Sequence, residues 1–94
     1  MEALTRQVSV VNSQGLHARP CHAVVSTALG FQATLRVRCG DLDVNGKSIL
    51  ELMTLNASCG KQLELTAQGP DSAGLLQALE ELFASGFGEE QQAR

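Results

Sequence analysis

Val8-Ser9-Val10-Val11-Asn12-Ser13-Gln14-Gly15-Leu16-His17-Ala18-Arg19-Pro20-Cys21 contains the change of period on which the fold turns. Before Asn12, apolar and polar residues alternate, which predicts a strand from Gln7 onward with Val8 and Val10 on one face. Asn12-Ser13-Gln14-Gly15 is loop chemistry. Beyond His17 the spacing becomes helical: Cys21, Val24, Val25 and Ala28 stand at i, i+3, i+4 and i+7, the stripe of an amphipathic helix from about Ala18 to Leu29. Pro20 suits the first turn, where a missing N–H costs nothing. His17 therefore falls at or beside the N-cap. At the far end Gly30 reads as the C′ residue, with Phe31 folding back on the last turn.

Working outward, Met1–Thr5 reads as a short lead-in. Downstream, Leu35, Val37 and Cys39 alternate with Thr34, Arg36 and Arg38, a second strand. Gly40-Asp41 turns it into a short third strand, Leu42-Asp43-Val44, which forms a hairpin with the second. Asn45-Gly46, a pair that readily takes positive φ, closes the hairpin. Ser48-Ile49-Leu50-Glu51 fits a capping box and predicts a short helix through about Asn56, with Leu52 and Leu55 inward. After a turn at Cys59-Gly60-Lys61, Leu63, Leu65 and Ala67 mark a fourth strand. Asp71 is offered as the N-cap of a last helix, whose stripe is Leu75, Leu76, Leu79, Leu82 and Phe83. Gly86 reads as its C′ stop and Phe87 as the accompanying apolar contact; residues 88–94 read as a frayed polar tail.

The order βαββαβα, with one apolar face per strand and one stripe per helix, predicts an α+β open-faced sandwich. Its four-stranded antiparallel sheet carries three helices on one face. Residues 1–94 read as a single domain without repeat or linker.

Composition excludes several classes of function. With 44% apolar and 18% charged residues, no Trp or Tyr and three Phe, the core must be aliphatic. A net charge of −3 and the lack of stacking aromatics argue against nucleic-acid binding. No apolar run is long enough to span a membrane. Cys21, Cys39 and Cys59, odd in number and widely spaced, read as reduced thiols of a cytoplasmic protein.

The chemistry converges on His17. A helix start presents unpaired N–H donors and a partial positive charge, which disfavours a second positive charge and favours an anion. A neutral imidazole there keeps a lone pair for attack, and a phosphoryl group received on it would face the Ala18 and Arg19 amides. Arg19 adds charge-assisted donors of the kind phosphate suits. The same groups would stabilise the spreading charge of a loose phosphoryl-transfer transition state.

Gly15-Leu16-His17-Ala18-Arg19-Pro20 resembles the active-site motif of HPr, the histidine phosphocarrier family of the bacterial phosphoenolpyruvate-dependent sugar phosphotransferase system. Gly46-Lys47-Ser48-Ile49-Leu50 resembles that family's regulatory serine region, and the βαββαβα order is the family's own. The resemblance spans essentially the whole chain. It implies a carrier rather than an enzyme in the turnover sense, with no cofactor. His17 would take phosphate on Nδ1 from enzyme I and pass it to IIA-type components of sugar permeases, with Arg19 assisting. It also implies a monomer that binds no nucleic acid and no membrane.

Ser48 has two compatible readings: a helix cap with Glu51, and, by the resemblance, a target of an HPr kinase. Glu51 stands where relatives regulated in this way often carry a small residue, and would repel a phosphate. Ile49, Leu50 and Met53 on the second helix are candidates for a partner-docking patch; Leu50 and Met53 are expected to be exposed, and at least one of the three to pack in the core. Met adapts to several partners. Cys21, where the family more often has alanine, is expected to be a small buried apolar residue, with a redox-sensitive thiol as the other reading. His17, Cys21 and His22 do not supply the ligands a metal needs, so no metal is expected, and His22 reads as an exposed bystander. The rival to the carrier is a regulatory binding module of the same fold in nitrogen or carbon control. An intact His17 with Arg19 favours the carrier.

Overall fold

The computed structural model describes residues 2–88; the tail expectation for residues 89–94 lies outside the described residues. The elements run β1 (Leu4–Ser9), α1 (Ala18–Leu29), β2 (Thr34–Cys39), β3 (Leu42–Asn45), α2 (Ile49–Thr54), β4 (Gln62–Gln68) and α3 (Ser72–Ala84), followed by a 3₁₀ turn at Gly86–Gly88. The strands form one antiparallel sheet in the order β1-β4-β2-β3. This is the α+β open-faced sandwich that the periodicities require.

Alternation decides which face is covered. Val8, Leu35, Val37, Val44, Leu63, Leu65 and Ala67 point to the helices and are buried, as are Val24, Val25 and Ala28 of α1 and Leu75, Leu76, Leu79 and Phe83 of α3. Burying one such leucine or phenylalanine contributes about 1.5–3 kcal/mol, so this aliphatic layer fixes strand register as well as stability. The other face is polar. Arg38 pairs there with Glu64 at 2.8 Å and Arg36 with Asp43 at 3.0 Å.

Several local expectations are corrected. β1 begins at Leu4, inside the expected lead-in, because Leu4 and Thr5 pair with Ala67 and Thr66 of β4. Arg6 had masked this: it occupies a helix-facing register position between Leu4 and Val8, opposite Leu65, and reaches towards Glu80 of α3 at 3.9 Å. The second helix ends at Thr54, not near Asn56, which takes the left-handed φ of 48° and stops it. Gly30 is the right-handed C-cap of α1, with φ −77°, rather than a left-handed C′ residue. Neither Asn45 nor Gly46 has positive φ. Gly46 is needed for space, since a Cβ there would run into the Leu35 side chain. Gly86 does have φ 66°, and Phe87 packs edge-on against Phe83 at 4.9 Å, as expected of a C′ stop and its apolar contact.

Asp71 is the N-cap of α3 by position, but its carboxylate does not cap the helix. Its two oxygens instead accept the N–H groups of Gln32 and Ala33, each at 2.9 Å. The Gln32 N–H, opposed by desolvation and joined by the Ala33 N–H and nearby Lys47, holds this carboxyl below its ordinary range. Lys47 Nζ donates to the Phe31 carbonyl at 2.9 Å. Together these contacts bind the end of α1, the β3–α2 turn and the start of α3 at the pole where α1 ends.

Candidate functional site

His17 is the N-cap of α1, with extended backbone (φ −104°, ψ −162°) and a half-buried side chain. The helix behind it is anchored by Pro20 and Cys21, both buried, while Ala18 and Arg19 are exposed. Pro20 has no N–H, and the Cys21 N–H donates to the His17 carbonyl at 3.0 Å. The first turn therefore offers solvent two peptide donors, those of Ala18 and Arg19, beside the imidazole. An anion held there would meet the positive end of the macrodipole and lie beside the exposed Arg19.

The loop ahead of His17 is held tightly. The Leu16 N–H donates to the Ala57 carbonyl at 2.7 Å, and Leu16 is buried. Gly15 has φ 76°, and a Cβ there would stand 2.6 Å from the Ala57 oxygen, so backbone approaches backbone where only glycine fits. The Gly60 N–H donates to the Val10 carbonyl at 2.7 Å, and the Val10 N–H to the Lys61 carbonyl at 2.9 Å. The α2–β4 connection thus serves as a floor for the His17 loop. Asn12, read in sequence only as a loop residue, is 1% exposed and donates through Nδ2 to the Gly15 carbonyl at 2.6 Å. Polarity marked it for the surface, and its long-range burial left no local signal.

An open groove runs beside the site, lined by Ala18, Arg19, His22, Ala23 and Phe87. His22 is exposed on the flank of α1. Cys21 is fully buried, its thiol directed to the Leu16 carbonyl at 3.8 Å, and burial pushes its pKa up to about 11. That favours the apolar-packing reading over the redox one, because the reactive thiolate is suppressed. Among the described residues no three His, Cys, Asp or Glu side chains gather to hold a metal ion. No helix of the described residues is long and apolar enough to cross a membrane.

Ser48 is the N-cap of α2, and its Oγ accepts the Glu51 N–H at 3.2 Å. Only half of the expected capping box forms. Glu51 Oε1 accepts the Asn45 N–H at 2.8 Å, while the Ser48 N–H donates to the Asn45 carbonyl at 3.1 Å. Lys47, next to Ser48, is tied to Phe31 beyond the end of α1, so Ser48 lies toward the opposite end of that helix from His17. On α2, Leu50 is 79% and Met53 44% exposed, whereas Ile49 is half-buried against the core. The structure thus groups His17, Ala18 and Arg19, and sets Ser48, Leu50 and Met53 on a neighbouring helix that packs against α1.

Fold and site define a class: an open-faced α+β domain that presents one histidine at the start of a surface helix. A family model described as the PTS HPr component phosphorylation site matches residues 4–85. The phosphocarrier protein HPr of Treponema pallidum is 39% identical over 87 residues, covering 93% of this chain and 99% of that protein. A multiphosphoryl transfer protein of Vibrio cholerae is 40% identical over 90 residues, covering 93% of this chain but 22% of that longer protein. Among solved structures, HPr-C-His from Thermoanaerobacter tengcongensis superposes with a TM-score of 0.86 at 39% identity, covering 96% of this chain and 99% of that one. The chain belongs to the HPr phosphocarrier family of the phosphotransferase system.

Proposed function

We propose that this chain accepts a phosphoryl group on Nδ1 of His17 from enzyme I charged by phosphoenolpyruvate, and delivers it to IIA-type acceptors. The observation that carries this reading is His17 as N-cap of α1, beside the exposed Ala18 and Arg19 donors, in a chain of the phosphocarrier family. In the forward step the bond from phosphorus to the donor's nitrogen breaks as the His17 Nδ1–phosphorus bond forms. The two peptide N–H groups and the Arg19 guanidinium meet the equatorial oxygens. The reverse geometry serves the acceptor. Among the described residues the groove beside His17 is open, which suits a group that successive proteins must reach. Leu50 and Met53, one turn apart on the exposed side of α2, supply the apolar part of the shared docking surface, with the half-buried Ile49 at its edge.

The carrier is stoichiometric, monomeric and cytoplasmic in this reading. Ser48 modification by an HPr kinase would place a phosphate at the start of α2, beside the Glu51 carboxylate. The resulting repulsion makes the site a weak brake rather than a strong switch.

Incubation with enzyme I and phosphoenolpyruvate tests the assignment. The expected product is an acid-labile, base-stable phosphate on this chain, absent from His17→Ala and formed more slowly on Arg19→Ala. Equal labelling of His17→Ala would overturn the carrier reading; a parental rate for Arg19→Ala would remove Arg19 from the site.

A further inference from the structure

We infer that Asn12 is a positioning residue for transfer at His17, acting through the Gly15 carbonyl; the inference rests on the carrier reading above. The Asn12 side chain is buried, out of reach of partners and solvent, and is linked to the His17 backbone by way of the Gly15 carbonyl. Its Nδ2 donates to the Gly15 carbonyl at 2.6 Å, and the main-chain carbonyl of Asn12 accepts the Gly15 N–H at 3.0 Å. The same Gly15 carbonyl accepts the His17 N–H at 3.1 Å. One oxygen with two lone pairs thus ties the buried amide to the backbone of the reacting residue.

The far side of this loop is closed by different contacts. Leu16 is held by its N–H bond to Ala57, and Gly15 lies against Ala57 and Ser58 with no space for a side chain. Without the Asn12 donor, Gly15 keeps this floor but loses the tether that sets the direction of its carbonyl, and the His17 N-cap geometry follows that carbonyl. Residues 12–17 form a loop rather than part of a helix or strand, so nothing periodic replaces the tether. Transfer needs the ring nitrogen in line with an incoming phosphorus while the Ala18 and Arg19 amides face its oxygens. Misplacement by about 1 Å costs on the order of 100-fold in such reactions. Partner docking in this reading draws on exposed side chains such as Leu50 and Met53, whereas the Asn12 side chain is buried.

The predicted signature is therefore a split between rate and affinity. In Asn12→Ala, the rate of phosphoryl uptake at saturating charged enzyme I falls by about 10- to 100-fold. The half-saturating concentration changes by less than about twofold. Asn12→Asp, which keeps the shape but presents only acceptors to the Gly15 carbonyl, shows the same loss. Asp71→Asn, which weakens the opposite pole, lowers stability without lowering the rate, and so separates positioning from general destabilisation. A folded Asn12→Ala with the parental rate, or one slowed only as much as Asp71→Asn, overturns the inference and leaves the carrier reading standing. A parent that takes no phosphate at His17 overturns both. If Asn12→Ala does not fold, hydrogen exchange of the Asn12 side-chain amide in the parent decides: slow exchange of its Nδ2 protons is expected from the bond to the Gly15 carbonyl, and exchange at the rate of an exposed asparagine overturns the tether.

Discussion

At the scale of single residues, cap and charge separate cleanly at Ser48. Its Oγ accepts the Glu51 N–H, so loss of the hydroxyl in Ser48→Ala should cost about 1 kcal/mol in denaturant unfolding. Aspartate is as good an N-cap as serine, so Ser48→Asp keeps the cap and adds only the charge. Its affinity for enzyme I should fall while its stability stays near the parent's. An unchanged affinity would reduce Ser48 to a structural cap. Residue identity was legible here, but hydrogen-bond partners were not. Ser48 and Glu51 announce a capping box, yet the β3–α2 turn already pairs the Ser48 N–H with the Asn45 carbonyl and offers Glu51 the Asn45 N–H. His17 could be read because its signal is local: glycine before it, a helical stripe behind it and arginine two residues on. Asn12 could not, since the segment around it is closed by the distant α2–β4 connection, through the Leu16–Ala57 and Val10–Gly60 bonds.

At the scale of elements, the two ends of α1 are held by different chemistry. Its start is left open to solvent, with Ala18 and Arg19 exposed, and the segment just beyond its end, Phe31–Ala33, is tied by Asp71 and Lys47 through that segment's backbone groups. The Asp71 carboxyl lies below the unfolded value of 3.8, so the stability it contributes is present above that pH and is lost as pH falls through the folded value. Urea unfolding should therefore show Asp71→Asn less stable than the parent at neutral pH, with the gap narrowing in acid below about pH 3.8. A gap independent of pH would assign the loss to packing rather than to the carboxylate. Helices and inner strands were legible from period alone, because each buries one side. β1 was the exception. Arg6 interrupts its apolar alternation, and only pairing with β4 shows that the strand starts at Leu4.

At the scale of the whole molecule, the sheet's polar face carries the Arg36–Asp43 and Arg38–Glu64 ion pairs, while the helix side carries the histidine, the flanking arginine and the exposed Leu50 and Met53. A carrier has to offer its phosphate to one protein after another, and this arrangement puts His17 and the exposed Leu50 and Met53 on neighbouring helices. A regulatory docking module would need that surface but not a labile phosphohistidine. The most direct measurement is a chase: the phosphorylated chain, purified free of enzyme I, is mixed with a IIA-type acceptor and the phosphate on each protein is followed with time. The account predicts that the label leaves His17 and appears on the acceptor, and that the emptied chain can be charged again. Label that stays on this chain, or leaves only as free phosphate with every IIA-type acceptor tried, would contradict it.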